Sequence, residues 1–374
     1  MRKVGIMSMQ RIANYGSFLQ AYALKQLIEE VGCNVEFVDY HVGASVITED
    51  ADSKNKVVRK IEKGLETFRY RAPLAHKLSF IRYKQSFAQK YMPLLGIADE
   101  MNYNPTVDCL VIGSDEVFNC IQKNSNVGYS PELFGKNNHA KKLITYAASF
   151  GNTTLIKLEK YKKANEVGAL LKKFDAISVR DANSGTIVEQ LTGKEPVYNL
   201  DPVLTYDYMN CCDKIPQVQT NEKYLILYAY AGRISNDEAD WIAAYAKKMN
   251  LKVYAIGGIQ KCADRFVDCS PFEVLDYFRN AEEVITDTFH GSIFSVITHR
   301  PFTTLIRKSV GNSYGNEEKL SDLLKRLGLV NRMTTKIEDA ENINKKAIDY
   351  AEVDELLKAH REVAKEYLRK NLEE

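Results

Sequence analysis

The sequence has no Gly-x-x-x-x-Gly-Lys-Ser/Thr loop and no Gly-x-Gly-x-x-Gly turn. The backbone cradles used for nucleotide hydrolysis and dinucleotide redox chemistry are therefore missing. It also has no run of about 18 apolar residues, so no membrane-spanning helix is expected. The start, Met1 to Met7, turns polar at Ser8, and its apolar part falls short of a signal-peptide core of about 7–15 residues. Seven cysteines (33, 109, 120, 211, 212, 262 and 269) are scattered without a Cys-x-x-Cys pair. That pattern argues against a disulfide frame or zinc site and for a reducing cytoplasm. His41, His76, His139, His299 and His360 stand singly, without ligand spacing. No metal and no cofactor are expected. A net charge of +2 gives the whole molecule no general attraction to nucleic acid.

What is present is ordinary globular composition, 45% hydrophobic and 27% charged, in a chain too long for one ordinary core. Short β-branched runs alternate with helical periodicity along its length. Strands are expected at 3–7, 34–39, 107–112, 143–147, 176–179, 196–198, 224–230, 252–256, 284–286 and 302–306. A charged helix is expected over 157–173. The order fits an α/β fold of two doubly wound, Rossmann-like domains facing a cleft. The first domain would span 1–203, with a basic helical insertion at 50–95. A linker at 204–222 follows, where periodicity lapses. A second domain would span 223–345, and an amphipathic helix at 346–374 would pack back toward the first domain.

The insertion departs from the rest of the chain. Residues 54–90 carry eleven Lys and Arg against two acids, a net +9 in 37 residues. Val57, Val58, Ile61, Leu65, Phe68, Leu74 and Leu78 interleave with them. Helices with basic faces can lie on an anionic membrane surface, and a solvated helical insertion has the same pattern. Nucleic acid fits less well, because no aromatic–basic recognition motif accompanies the charge.

Polar turns recur where strands are expected to end: Asn14 to Ser17, Gly113 to Glu116, Arg180-Asp181, Asp201, Gly257-Gly258 and Thr288 to Ser292. In two facing domains such ends line one cleft. The last turn carries most chemistry. It sets His290 between a strand and a helix, with the amides of Gly291, Ser292 and Ile293 at the helix N-terminus. Free N–H groups and the helix dipole make such a terminus an anion seat. His290 in that place can equally be a helix cap.

Several segments together are similar to a known family. They are Asn14-Tyr-Gly-Ser-Phe-Leu-Gln20, Gly113-Ser-Asp-Glu-Val-Phe118, Ser178-Val-Arg-Asp181, Asp201-Pro202, Thr288-Phe-His-Gly-Ser-Ile-Phe-Ser295 and Pro301-Phe302. In this order, from about residue 4 to 330, they resemble the polysaccharide pyruvyl transferases. The resemblance implies a GT-B-like pair of domains and transfer of pyruvate from phosphoenolpyruvate to a sugar, forming a ketal. The sequence departs from the pattern at Glu116 and Phe118, where Gln and Trp are expected, and at Lys319, where Arg is frequent. Some branches carry an arginine two residues before the histidine; Thr288 stands there, leaving Arg300, Arg307 or Lys308 as candidates for the donor's second cationic partner.

Under that resemblance the 223–345 domain takes the donor and the 1–203 domain the acceptor, a galactose-type sugar on a lipid-linked oligosaccharide or polysaccharide precursor. His290 would be the principal acid and base, since imidazole serves either way near neutrality. Arg180 would bind the donor's carboxylate or phosphate bidentately, unless it pairs with Asp181 or Asp201. Gly291 and Ser292 would hold the phosphate. Asp115 is the candidate base or sugar-hydroxyl ligand, unless it only caps a helix. Asn14, Gly16 and Ser17 would form the acceptor wall. A cytoplasmic enzyme, peripheral on the inner face of the plasma membrane through residues 54–90, is the resulting expectation. A nucleotide-sugar glycosyltransferase of the same shape and a non-catalytic assembly protein are the alternatives.

Overall fold

A computed structural model describes residues 1–47, 67–122, 126–307 and 316–373. Two six-stranded sheets, parallel throughout, organise them. The first has the order β2-β1-β3-β4-β5-β6. Its strands are β1 (Lys3–Met7), β2 (Asn34–Phe37), β3 (Cys109–Asp115), β4 (Lys142–Ala148), β5 (Ser178–Val179) and β6 (Val197–Tyr198). The second has the order β12-β11-β10-β7-β8-β9. It is built from β7 (Tyr224–Tyr228), β8 (Lys252–Ile256), β9 (Arg265–Phe266), β10 (Glu283–Thr286), β11 (Phe302–Leu305) and β12 (Met333–Thr334). This is a two-domain, GT-B-like α/β fold. The central strands are buried on both faces, which is why they read as continuous apolar runs. The two-residue strands β9 and β12 have no such run and were not legible in the sequence.

Three helices position the cleft. Helix α1 (Tyr15–Glu30) begins at Asn14, whose side chain accepts from the amides of Gly16 and Ser17 at 2.8 and 3.4 Å; such a cap satisfies donors the helix leaves orphaned. Helix α2 (Leu74–Leu95) belongs to the basic insertion and ends at Gly96, left-handed at φ 84°. Helix α3 (Phe289–Ile297) is buried at every residue, as an apolar helix without a polar face must be.

The expected helix at 157–173 is two helices, Leu155–Lys160 and Ala164–Leu171, with Lys162 between them at φ 55°. The terminal helix α4 (Tyr350–Leu372) bridges both halves: Tyr367 Oη donates to the Thr145 carbonyl at 2.8 Å, and His299 meets Asp354 at 3.0 Å.

The insertion is more than a solvated basic face. Its first part, including Lys54, Lys56, Arg59, Lys60 and Lys63, lies outside the described residues. In α2, Phe80, Tyr83, Phe87, Met92 and Leu95 turn inward. Tyr83 stacks near Tyr15 of the first half at 5.2 Å between centroids, while Phe80 meets Phe266 of the second at 5.6 Å. Aromatic pairs of this geometry add about 0.5–1.5 kcal/mol each beyond burial. The helix therefore wedges between the two sheets.

Candidate functional site

The carboxyl ends of both sheets border a cleft of about 500 Å³. Asp115, the last residue of β3, adopts φ 76°, a strained left-handed conformation for a residue with a side chain. That turn aims its carboxylate into the cleft wall. Oδ2 accepts from Ser17 Oγ at 3.0 Å, and Oδ1 accepts from the Glu116 amide at 2.9 Å and from Arg180 Nη2 at 3.3 Å. Arg180 follows β5 and lies over the Phe289 ring at 4.5 Å. Its Nη1 donates to Asp201 Oδ2 at 2.8 Å. The same oxygen stands 3.6 Å from His290 Nε2, an attraction between facing groups just beyond hydrogen-bond reach. A chain Ser17–Asp115–Arg180–Asp201–His290 thus joins the two halves.

The energetics follow from burial. Arg180, Asp201 and His290 are all buried. Burial works against the Arg180 charge, yet Asp115 and Asp201 outweigh it and raise its pKa above the ordinary value. Burial likewise pushes Asp201 up, but facing His290 and Arg180 hold it below the usual carboxylate range. Both stay charged, and each compensates the other's desolvation. Gly16 has a packing reason to be glycine: a Cβ there would collide with Nδ1 and Cγ of His290.

Asn14, Ser17, Asp115, Arg180 and His290 line the cleft together. Gly291 and Ser292 do not. Thr288 caps α3 and takes the Gly291 amide at 2.9 Å, the Ser292 amide bonds the Thr288 carbonyl at 3.3 Å, and the Ser292 hydroxyl turns to Thr304 at 2.8 Å. The anion seat expected on these amides is thus occupied by the helix's own cap. Arg180, read as an anion binder, already serves two carboxylates.

The model of the polysaccharide pyruvyl transferase family matches residues 14–309. The chain belongs to the polysaccharide pyruvyl transferase family. No curated protein matches it. Among solved structures it is similar to MnaA of S. aureus with UDP, at 11% identity and TM-score 0.47 over 96% of this chain and 91% of that one. It is similar to the spinosyn rhamnosyltransferase SpnG at 10% identity and TM-score 0.41, over 100% of this chain and 96% of that one. It also resembles a mutant O-GlcNAc transferase of Thermobaculum terrenum at 12% identity and TM-score 0.43, over 100% of this chain and 66% of that one.

In this pyruvyl transferase family member the cleft holds further groups that the sequence did not mark as site residues. Lys84 of α2 reaches it, donating to the Ala13 carbonyl at 2.9 Å. Its surface meets solvent within the cleft, but the protein surrounding the ammonium pushes its pKa down to about 8. Tyr230 Oη accepts from Asn14 Nδ2 at 3.0 Å across the cleft. Lys319 pairs with Glu116 at 2.9 Å, and Arg233 and Asp287 complete the second-half wall. The turn at Tyr230 to Arg233 was readable in principle as another polar strand end, since β7 stops at Tyr228 rather than at 230. Lys84 left no such signal, being one cation of many on a basic helix. The candidate partners suggested by sequence are elsewhere. Arg307 is held by Glu238 at 2.5 Å, Arg300 donates to the carbonyls of Thr298 and Ala281, and Lys308 lies outside the described residues.

Proposed function

We propose that this protein moves the enolpyruvyl group of phosphoenolpyruvate onto a galactose-type sugar of a lipid-linked oligosaccharide or polysaccharide precursor, closing a pyruvate ketal and releasing phosphate. The observation that carries this reading is the largely buried Asp115–Arg180–Asp201–His290 chain at the junction of the two halves. The reaction must grip a carboxylate and a phosphate, move protons to carbon and from hydroxyl, and hold two hydroxyls in place.

His290 takes the proton of the attacking hydroxyl. Asp201, facing Nε2, orients the ring and stabilises the imidazolium that forms. Arg180 binds the donor carboxylate with the guanidinium edge its two carboxylates leave over. Lys84 and Arg233 add the positive charge that the phosphate needs. Asp115 and Ser17, with Asn14, form the acceptor wall, and Gly16 lets α1 approach the imidazole.

The acceptor is lipid-linked in this reading, and α2 has a face suited to its source. Leu74 and Leu78 are exposed by 62% and 51% on one side of the helix, with exposed Arg71 and Arg82 beside them. Apolar side chains flanked by cations bind the interface of an anionic leaflet. No helix among the described residues is long and apolar enough to cross a membrane, so this attachment is peripheral, on the inner face of the plasma membrane.

The test is phosphate release from phosphoenolpyruvate with a galactose-containing lipid-linked acceptor. Wild type turns over, and His290→Ala loses at least about a hundredfold in kcat while folding normally. A folded His290→Ala with near-normal turnover would falsify the mechanism. Thermal stabilisation by a nucleotide sugar, without any by phosphoenolpyruvate, would replace the reading with glycosyl transfer.

A further inference from the structure

Asp287 follows β10 directly and lies three residues before His290, in the wall of the same cleft. Its side chain is fully buried, and neither carboxylate oxygen has a hydrogen-bond partner among the described residues. Arg233 Nη1 approaches Oδ2 only to 3.8 Å, beyond a hydrogen bond. Arg307, Lys319 and Glu238 also face it; Arg307 is bonded to Glu238 and Lys319 to Glu116.

A buried carboxylate without hydrogen bonds is costly to ionise, and burial therefore favours the neutral acid. Burial accordingly raises the Asp287 pKa, although Arg233, Arg307 and Lys319 pull it down. The other carboxyls of the cleft are engaged. Asp115 is tied to Ser17 and Arg180, Asp201 to Arg180, and Glu116 to Asn119 and Lys319.

We propose that Asp287 is the proton donor to the methylene carbon of the donor, working opposite His290. This rests on the phosphoenolpyruvate reading of the cleft. A donor anion that draws Arg233 toward itself uncovers the carboxyl. The Asp287 proton then forms the new C–H bond at the methylene as the double bond breaks. The first sugar hydroxyl attacks the carbon bearing phosphate, and its proton passes to His290. The C–O bond to phosphate breaks as the second hydroxyl closes the ketal, and that hydroxyl's proton leaves with the phosphate. The proton on His290 returns to Asp287 through solvent, so no further reagent is needed.

The experiment compares wild type, Asp287→Asn and Asp287→Glu by phosphate release from phosphoenolpyruvate at saturating lipid-linked acceptor. Asn is isosteric with the protonated acid but cannot donate to carbon. Asp287→Asn is expected to lower kcat by about a thousandfold, with donor KM and stabilisation by phosphoenolpyruvate changed less than about twofold. Asp287→Glu should recover at least about tenfold over Asn. At saturating donor, the alkaline fall in wild-type kcat from Asp287 ionisation should be absent in Asp287→Asn. If Asp287→Asn keeps kcat within about fivefold, or weakens donor binding with kcat preserved, the proton-donor role is wrong. A glutamate variant no better than asparagine overturns it too. Wild type that releases no phosphate from phosphoenolpyruvate defeats the donor reading itself, and shows this before any variant is compared.

Discussion

Glu116 and Lys319 are 203 residues apart and form an ion pair of 2.9 Å across the cleft. These are two of the positions at which the sequence departs from the family pattern, and the departures meet. Both side chains are mostly buried, at 12% and 19% exposure, so the pair helps to hold together the two walls of the cleft.

Removing one partner leaves a largely buried charge behind. Lys319→Met should destabilise the protein by about 2 kcal/mol, while Glu116→Gln with Lys319→Met should recover most of that loss. Denaturant unfolding of the single and double variants measures the coupling. Additive effects would show that the pair is energetically idle.

Gly16→Ala places a methyl against the His290 ring. The ring must move, and displacement of a catalytic group by about 1 Å can cost about a hundredfold in rate. The expected result is a loss of that order in kcat with a melting temperature within a few degrees of wild type. Full activity in Gly16→Ala would mean the ring position does not matter to turnover.

Lys84 provides a pH signature. Its pKa is depressed to about 8 by the protein surrounding the ammonium, so it is mostly cationic below that value and mostly neutral above it. Affinity for phosphoenolpyruvate should hold toward pH 7 and fall as pH rises through about 8, by roughly three- to tenfold for one lost charge contact. Lys84→Met should bind more weakly at pH 7 and show a flat profile across this window. Calorimetric titration between pH 7 and 9.5 checks both, and an unchanged profile in the variant removes Lys84 from the donor site.

Membrane attachment through α2 predicts salt-sensitive sedimentation with anionic vesicles but not with neutral ones. Leu74→Glu with Leu78→Glu should reduce the bound fraction at least about tenfold without changing turnover on a water-soluble acceptor. Equal binding to neutral vesicles, or no effect of the double variant, would disprove this surface.

Much of the local structure was legible because it rests on short-range physics. Continuous apolar runs mark strands such as β7 and β10, which are buried on both faces. The periodicity of Phe18, Leu19, Leu24 and Leu27 marks α1, and Asn14 marks its cap. The same reasoning placed Asn14, Ser17, Asp115, Arg180 and His290 at carboxyl ends of strands, which in a doubly wound sheet converge. The cap at Thr288 was also readable, since threonine three residues before Gly291 is an N-cap pattern. Once Thr288 Oγ1 takes the Gly291 amide, that amide is no longer free for an anion.

The amino-acid order by itself determined the longer strands and α1, the polar turns that end most of those strands, and to which family the chain belongs. Only the tertiary structure decided the partners of the charges. Arg180 lies between Asp115 and Asp201, Lys84 reaches the cleft from a helix that looked merely basic, and the Asp287 carboxylate has no hydrogen-bond partner among the described residues. Hydrophobic periodicity is written within a few turns of chain, whereas the ionisation and pairing of a side chain depend on burial and on groups brought close from far along the sequence.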